Sequence, residues 1–174
     1  MNAREAAAEA ARRLSAAGIA DAKFEAELLV RASAGMSRAR YFTAPAFGED
    51  DRERLEALLA RREAREPAPY ITGHREFYGR DFAVGPGVLV PRPETELLVA
   101  IALEELDRDP AAVVLEAGTG SGAVAVSVAA ERPGATVIAT DVSPAAMRFA
   151  RENAARHAPI TALILGSLAT PVRR

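Results

Sequence analysis

The chain has 174 residues, of which 49% are hydrophobic and 26% charged, and its formal net charge is -2. This composition is typical of a soluble globular protein and gives no sign of nucleic-acid binding, and no apolar segment approaches the roughly 20 residues that cross a membrane. With no cysteine and only 2 histidines, neither a disulfide nor a bound metal is expected, and the reducing cytoplasm is the expected location.

Residues 1 to 66 are predicted to form a small helical domain. Asn2 and Glu5 have the spacing of a capping box, and the helix that they begin should end near Gly18. A later helix is predicted over residues 50 to 66, where acids precede arginines as the helix dipole favours. A Glu-Pro-Ala-Pro segment then marks the end of the domain.

Two further helices are predicted inside this domain. The first spans residues 21 to 34, where Phe24, Leu28 and Ala32 recur every fourth residue and should form its buried stripe. Ser37 is placed to cap the second, which is short.

Residues 67 to 92 are predicted to be a linker that contains a β-hairpin. Apolar residues alternate with a period of two over positions 74 to 84, and Gly79 lies at the expected turn.

Residues 93 to 174 are predicted to form part of an α/β domain, which begins with a helix. Pro93 suits the first helical position, and apolar side chains of this helix should face a core; these are Leu97, Leu98 and Ile101.

The remaining pattern alternates strands and helices. Strands are predicted over residues 112 to 117, 135 to 140 and 160 to 165, separated by helices over 122 to 131 and 143 to 157. This order implies a parallel sheet that helices cover on both faces.

Three alternating glycines follow the first of these strands. Gly118, Gly120 and Gly122 allow a sharp turn and the close approach of a ligand, and the N–H groups at the start of the next helix favour negative charge. A tight strand-to-helix turn with no ligand is the alternative interpretation of the same residues.

Asp141 lies at the end of the second strand, about 20 residues after the glycines, where an acidic side chain can bind both hydroxyls of a ribose. It can instead serve the helix that Ser143 caps. Together the loop and the acid favour a nucleoside cofactor. Gly118, Gly120 and Ala123 also fit the dinucleotide pattern, so spacing alone leaves NAD and S-adenosylmethionine both open.

Three segments together resemble the release-factor glutamine methyltransferases, the HemK or PrmC family. They are PYITGHREFYGRDFAVGPGVLVPRPETELLV at 69 to 99, LEAGTGSGAVAVSVA at 115 to 129 and ATDVSPAAMRFARENAARH at 139 to 157. The ITG-x-REF-x-G and VPRPETE motifs carry most of the resemblance. It covers nearly the whole chain, and the helical domain fits the family's substrate-docking domain.

The resemblance implies a Rossmann-like class I methyltransferase fold and transfer of a methyl group from S-adenosylmethionine. The acceptor would be the side-chain amide nitrogen (N5) of the glutamine in the GGQ motif of class I peptide chain release factors, with no direct nucleic-acid contact and no membrane. Asp141 would bind the cofactor's ribose, and the loop would cradle its methionine part through Gly118, Thr119, Gly120, Ser121 and Gly122.

The family's PRPETE element is expected beside the cofactor pocket. Its residues here are Arg92, Pro93, Glu94 and Thr95. The same residues also make a good helix start, and both interpretations stay open. Aromatic residues of the hairpin either wall the pocket or pack an interface; these are Phe77, Tyr78 and Phe82.

The chain departs from the family pattern in three places. The catalytic Asn-Pro-Pro-Tyr tetrapeptide is absent. Glu116 stands where an aspartate is usual, and Gly166 and Ser167 run into Leu168 where an acid near adenine is common. Glu116 and Leu168 are therefore secondary candidates for contact with the cofactor.

The missing tetrapeptide indicates a C-terminally truncated enzyme that is inactive alone, with a free sheet edge after Leu165 that promotes self-association. A non-catalytic module that binds the cofactor or a release factor is an alternative. A nicotinamide oxidoreductase is a weaker one, because it leaves the PRPETE and ITG-x-REF motifs unexplained. The oligomeric state stays open.

Overall fold

The computed structural model describes residues 1 to 158 and 162 to 167. The chain divides into two compact units, Met1–Thr72 and Gly73–Arg174. The first unit is helical, and the second contains a hairpin and a parallel sheet.

The described residues of the first unit form helices α1 Ala3–Ala16, α2 Ala22–Ser33, α3 Arg38–Phe42, α4 Glu49–Glu63 and α5 Ala68–Thr72. The predicted capping box is present, since the Asn2 side chain accepts a hydrogen bond from the Glu5 N–H at 3.0 Å and the Asn2 N–H donates to the Glu5 carboxylate at 2.9 Å. Ser37 caps α3 as predicted. The core is formed mainly by α1, α2 and α4.

The predicted buried stripe of α2 is wrong. Phe24 is 63% exposed, and Ala32 is exposed as well. The buried face instead carries Ala22, Ala26 and Leu29. Alanines on α1 share this core, and small side chains on both helices allow close packing that a phenylalanine would prevent.

The second unit begins with the predicted hairpin, formed by β1 His74–Phe77 and β2 Arg80–Ala83 in antiparallel register. Tyr78 and Gly79 make the turn with φ of 49° and 70°. Positive φ at both central residues is the geometry of a type I′ hairpin turn.

A short 3₁₀ turn, Pro93–Thr95, leads into α6 Glu96–Arg108. The sheet domain follows as β3 Val113–Ala117, α7 Ala123–Glu131, β4 Thr136–Asp141, α8 Pro144–His157 and β5 Ala162–Leu165. The three strands are parallel in the order β3-β4-β5. This arrangement confirms the predicted fold: a helical region, a hairpin and a parallel sheet of the Rossmann-like type.

The carboxyl ends of the parallel strands meet at one edge of the sheet. Ala117 pairs with Thr140, and Asp141 pairs with Leu165. The glycine-rich loop follows β3 directly, so the fold brings it to the same edge as Asp141.

The predicted orientation of α6 is wrong. Leu97 is 64% exposed, and Leu98 and Ile101 are exposed too, whereas Val99 and Leu106 are buried. The buried face of α6 packs against α7. Because this helix is apolar on most of its surface, its sequence pattern does not select one face.

The sheet is also covered less completely than predicted. Val113 and Leu115 of β3 are exposed, although a parallel strand is expected to be buried on both faces. In the described residues β3 pairs only with β4, so the sheet has a free edge at β3 as well as at β5, where it was predicted.

No helix in the described ranges is long and apolar enough to cross a membrane.

Candidate cofactor site

The loop between β3 and α7 turns sharply at its three glycines. Gly118, Gly120 and Gly122 have φ of 78°, 59° and 81°. Side chains disfavour this left-handed region, so the backbone needs glycine at these positions whether or not a ligand binds. The predicted tight turn is therefore present.

Backbone hydrogen bonds fix this loop to the end of β4. The N–H groups of Gly118 and Thr119 both donate to the Thr140 carbonyl, at 2.8 and 2.9 Å. The Gly122 N–H donates to the Thr119 carbonyl at 2.9 Å. Thr119 and Ser121 are buried, whereas Gly118 is exposed. The loop thus presents its Gly118 side to solvent.

Asp141 connects the loop to the start of α8. Its Oδ2 accepts a hydrogen bond from the Gly120 N–H and its Oδ1 accepts one from the Ser143 N–H, both at 2.8 Å. Ser143 is the N-cap of α8 and accepts from the Ala146 N–H at 3.2 Å. A carboxylate has about four acceptor positions. The described residues use two of them, so with respect to these residues the carboxylate keeps further acceptor capacity.

Glu116 holds the loop from the end of β3. Its Oε2 accepts hydrogen bonds from the Thr119 hydroxyl at 2.6 Å and from the Ala125 N–H at 3.0 Å. The N-cap of α7 is Gly122, which has no side chain, so Glu116 supplies the acceptor that this helix start lacks.

Burial raises the pKa of the half-buried Glu116 carboxyl. The hydrogen bonds from Thr119 and Ala125 lower its pKa in part, and the charge of Asp141 raises it further. The negative charge of Asp141 thus disfavours ionisation of Glu116, and Glu116 binds its proton more strongly than an exposed glutamate does.

The three glycines differ in what surrounds them. A Cβ added at Gly118 would meet no atom within 4 Å, and one at Gly120 would meet only Val88, at 3.7 Å. A Cβ at Gly122 would lie 3.1 Å from Val126 and 3.3 Å from the Ala150 backbone. Gly122 serves close packing of helices, whereas the space beside Gly118 is open to a ligand. The open space of the loop therefore lies on its Gly118 side.

The PRPETE residues form the start of α6. Arg92, Pro93 and Glu94 are exposed and Thr95 is half-buried. Pro93 occupies the first position of the 3₁₀ turn, as the helix-start interpretation expects. Within residues 1 to 158 and 162 to 167, no hydrogen bond or ion pair links these four side chains to the glycine loop.

Glu96 has a tertiary contact that was not predicted from the sequence. Its Oε1 accepts a hydrogen bond from the Tyr78 N–H at 3.0 Å, which ties the hairpin turn to α6. An acid in the first turn of a helix is explained by the helix dipole alone, so its tertiary partner left no signal in the sequence.

Asn153 was also not predicted to contribute to the site. Its buried amide on α8 contacts β2 and the glycine loop through Ala83 and Ser121. Phe77 and Phe82 lie in the core of the second unit, with ring centroids 6.0 Å apart, and Phe82 also contacts His157. The hairpin aromatics thus stabilise the unit that carries the site.

The resemblance places adenine near the segment after β5, of which only Gly166 and Ser167 are among the described residues. The Gly166 N–H donates to the Asp141 carbonyl at 2.8 Å. Val142, next to Asp141, is exposed and was not predicted as a site residue. Leu168, a secondary candidate, lies outside the described residues.

Among the residues that the structure describes, no group of three or more histidine, aspartate or glutamate side chains is placed to hold a metal ion.

Two protein-family models match the chain. The PrmC N-terminal domain matches residues 5–73, and a methyltransferase domain matches residues 114–171. The first match corresponds to the helical unit, and the second includes the glycine loop and Asp141.

Curated relatives match over most of the chain. The release factor glutamine methyltransferase of Koribacter versatilis is 46% identical over 158 residues, which cover 90% of this chain and 56% of that protein. The protein of the same name from Moorella thermoacetica is 40% identical over 181 aligned residues, covering 99% of this chain and 62% of the relative. That from Burkholderia pseudomallei is 48% identical over 132 residues, covering 75% and 46%.

The chain spans about half the length of the curated relatives that it matches. Identities of 40% to 48% extend across both units, and the helical unit matches a domain model that is named for this family. By sequence, the chain belongs to the family of the release factor glutamine methyltransferases.

Proposed function

We propose that this protein binds S-adenosylmethionine at the glycine loop and serves the methylation of a glutamine side chain in class I peptide chain release factors. The acceptor is the amide nitrogen (N5) of the glutamine in the GGQ motif. The observation that carries the proposal is the joint geometry of the loop and Asp141: open space lies beside Gly118, and the carboxylate that anchors Gly120 has acceptor capacity left.

Each part of the site has a role in this proposal. The exposed loop around Gly118 faces the methionine part of the cofactor, since a backbone without a Cβ permits close approach. Asp141 accepts the ribose hydroxyls. Glu116 keeps the loop in place through Thr119 and the start of α7. S-adenosylmethionine, when bound, supplies an electrophilic methyl group on its sulfonium.

The residues described so far do not supply the groups that would align the acceptor nitrogen. An amide nitrogen is a poor nucleophile, because its lone pair is delocalised into the carbonyl, so it must be held in line with the methyl group by hydrogen bonds. The family's Asn-Pro-Pro-Tyr element does not occur in the 174 residues. We therefore assign cofactor binding to the described residues. We do not assign alignment of the amide to them.

A second candidate is a role in binding the release factor, which the helical unit favours. The helical unit matches the PrmC N-terminal domain, and we propose that it contacts the release factor. Because release factors act in translation, the proposed location is the cytoplasm.

Calorimetric titration of the purified protein tests the choice of cofactor. We expect S-adenosylmethionine to bind at a single site and NADH not to bind. Binding of NADH alone would overturn the proposal in favour of an oxidoreductase. A second assay offers the protein a release factor and methyl-labelled cofactor. We expect binding without transfer, and label on the GGQ glutamine would refute the expectation that the 174 residues are inactive alone.

A further inference from the structure

The side-chain amide of Asn153 joins three parts of the second unit. Asn153 lies in α8 and is fully buried, with 0% exposure. Its Oδ1 accepts a hydrogen bond from the Ala83 N–H at 2.8 Å, and its Nδ2 donates to the carbonyls of Ala83 and Ser121 at 3.0 and 2.9 Å. Both amide hydrogens are used, and each meets a carbonyl, so the partners fix the orientation of the amide.

The hairpin register explains why Ala83 is available. The Val84 N–H donates to the Gly73 carbonyl at 2.9 Å. The neighbouring pair, His74 and Ala83, is therefore of the non-hydrogen-bonded type, whose peptide groups point away from the partner strand. Asn153 binds these outward groups as the backbone of an adjacent strand would.

The third contact reaches the middle of the glycine loop. Ser121 lies between two glycines with positive φ, where the backbone has the most freedom to change conformation. The peptide group that joins Ser121 to Gly122 is held at both ends, its carbonyl by Asn153 and its N–H by the Thr119 carbonyl. The conformation of the loop therefore depends on a side chain from α8.

We propose that Asn153 is a positioning residue for S-adenosylmethionine binding. By holding the Ser121 carbonyl next to β2, it keeps the glycine loop in the conformation that accepts the cofactor. Asn153 is buried, whereas the open side of the loop is at Gly118, so it acts through Ser121 and not by contact with the cofactor. This inference rests on the proposed function.

The test compares Asn153→Ala with Val137→Ala in the 174-residue protein. Val137 lies in the same core but near the amino end of β4, at the opposite end of the strand from the loop. Both variants should lower the melting temperature. Only Asn153→Ala should raise the dissociation constant for S-adenosylmethionine, by about tenfold for the loss of one hydrogen bond that orders the site.

Two calorimetric outcomes would overturn the inference: a folded Asn153→Ala protein that binds with wild-type affinity, or equal weakening in both variants. A wild-type protein that does not bind S-adenosylmethionine would overturn the proposed function and this inference together. If the wild-type protein binds S-adenosylmethionine and Asn153→Ala binds it equally well, the inference alone is overturned.

Amide hydrogen exchange on the wild-type protein gives a test that does not depend on the folding of a variant. Saturation with S-adenosylmethionine should slow exchange at the Ala83 N–H together with the loop amides, because Asn153 connects the two. The Gly79 N–H, which is held by Glu76 at the hairpin turn, should not change. Slower exchange in the loop without any change at Ala83 would overturn the inference.

Discussion

The Gly120 N–H donates a hydrogen bond of 2.8 Å to the carboxylate of Asp141, 21 residues further along the chain. The acid proposed to bind the ribose therefore also fixes the loop proposed to bind the methionine part. A structural role and the proposed ligand-binding role are thus combined in one carboxylate, which also accepts from the Ser143 N–H.

Replacement of this carboxylate by an amide should affect both roles. In Asp141→Asn only one oxygen remains, so one of the two N–H donors faces an NH₂ group. We expect a loss of about 1–3 kcal/mol in the free energy of unfolding, the usual cost of an unsatisfied buried group. The affinity for S-adenosylmethionine should fall by at least about tenfold. Urea unfolding and calorimetry measure the two effects.

Asp107→Asn is the matched control, because Asp107 is exposed and pairs with Arg132 on the surface of the second unit. It should change stability by less than about 1 kcal/mol and leave the affinity unchanged. If both variants bind S-adenosylmethionine as the wild-type protein does, Asp141 has no part in the site.

Two glycines of the loop should respond differently to alanine. Gly118 and Gly122 have almost the same φ, so alanine at either position strains the backbone by about 1–2 kcal/mol. Gly122→Ala also brings a Cβ to 3.3 Å from the backbone of Ala150 and should lose about 2–4 kcal/mol. The Gly118→Ala protein should keep most of the wild-type stability. It should lose affinity for S-adenosylmethionine, because the added Cβ occupies the open space.

Thermal unfolding and calorimetry on both variants separate these effects. A Gly118→Ala protein with wild-type affinity would show that the open space beside Gly118 is not where the cofactor approaches.

Glu116 should make the free energy of unfolding depend on pH, and the direction of this dependence is unusual for an acid. Burial raises its pKa in the folded protein, so the native state holds a proton that the unfolded state releases. Its stabilising effect is present below the unfolded-state pKa of about 4.3 and is lost as pH rises through the higher native pKa. Glu116→Gln keeps an acceptor for Thr119 and Ala125 but cannot titrate.

The free energy of unfolding of the wild-type protein, minus that of Glu116→Gln, should therefore fall as pH rises across this window and then stay level. Urea unfolding from pH 4 to pH 8 measures it. A difference that grows with pH would mean that hydrogen bonds to the charged form outweigh burial.

The free edge at β3 should promote self-association. Leu115 is exposed on this strand, which pairs only with β4 in the described sheet. Leu115→Lys should shift the protein toward monomer in light-scattering chromatography, because a charge on an edge strand opposes pairing. Leu89→Lys, at an exposed leucine outside the strands, is the control and should have no effect. A wild-type protein that is monomeric at every concentration would contradict this prediction.

Local patterns were sufficient to predict the order of the elements apart from α5, a short helix in the segment that was predicted to be a linker. Turn glycines, helix caps and changes of hydrophobic period lie within a few residues of the boundaries that they mark, so the hairpin and the strand-helix alternation could be inferred. The loop and Asp141 also follow from this order, because parallel strands end at a common edge.

The buried faces of two helices could not be predicted. In α2 the face with Ala22 and Ala26 is less hydrophobic than the one with Phe24, but its small side chains permit closer packing. In α6 apolar residues lie on most sides, so periodicity does not distinguish Leu97 from Val99.

The tertiary contacts of single polar side chains could not be predicted from the sequence either. Asn153 contacts Ser121 and Ala83, which are 32 and 70 residues away, and an asparagine inside a helix carries no mark of such partners. The same holds for Glu96 and Tyr78. The sequence therefore predicts where the loop lies, and the structure shows which side chains hold it.

A crystal structure of the protein soaked with S-adenosylmethionine tests the central claim most directly. We predict density for the methionine part beside Gly118, and ribose hydroxyls within hydrogen-bonding distance of the Asp141 carboxylate. Density at another site, or an unoccupied loop at saturating cofactor, would contradict the claim that this loop binds S-adenosylmethionine.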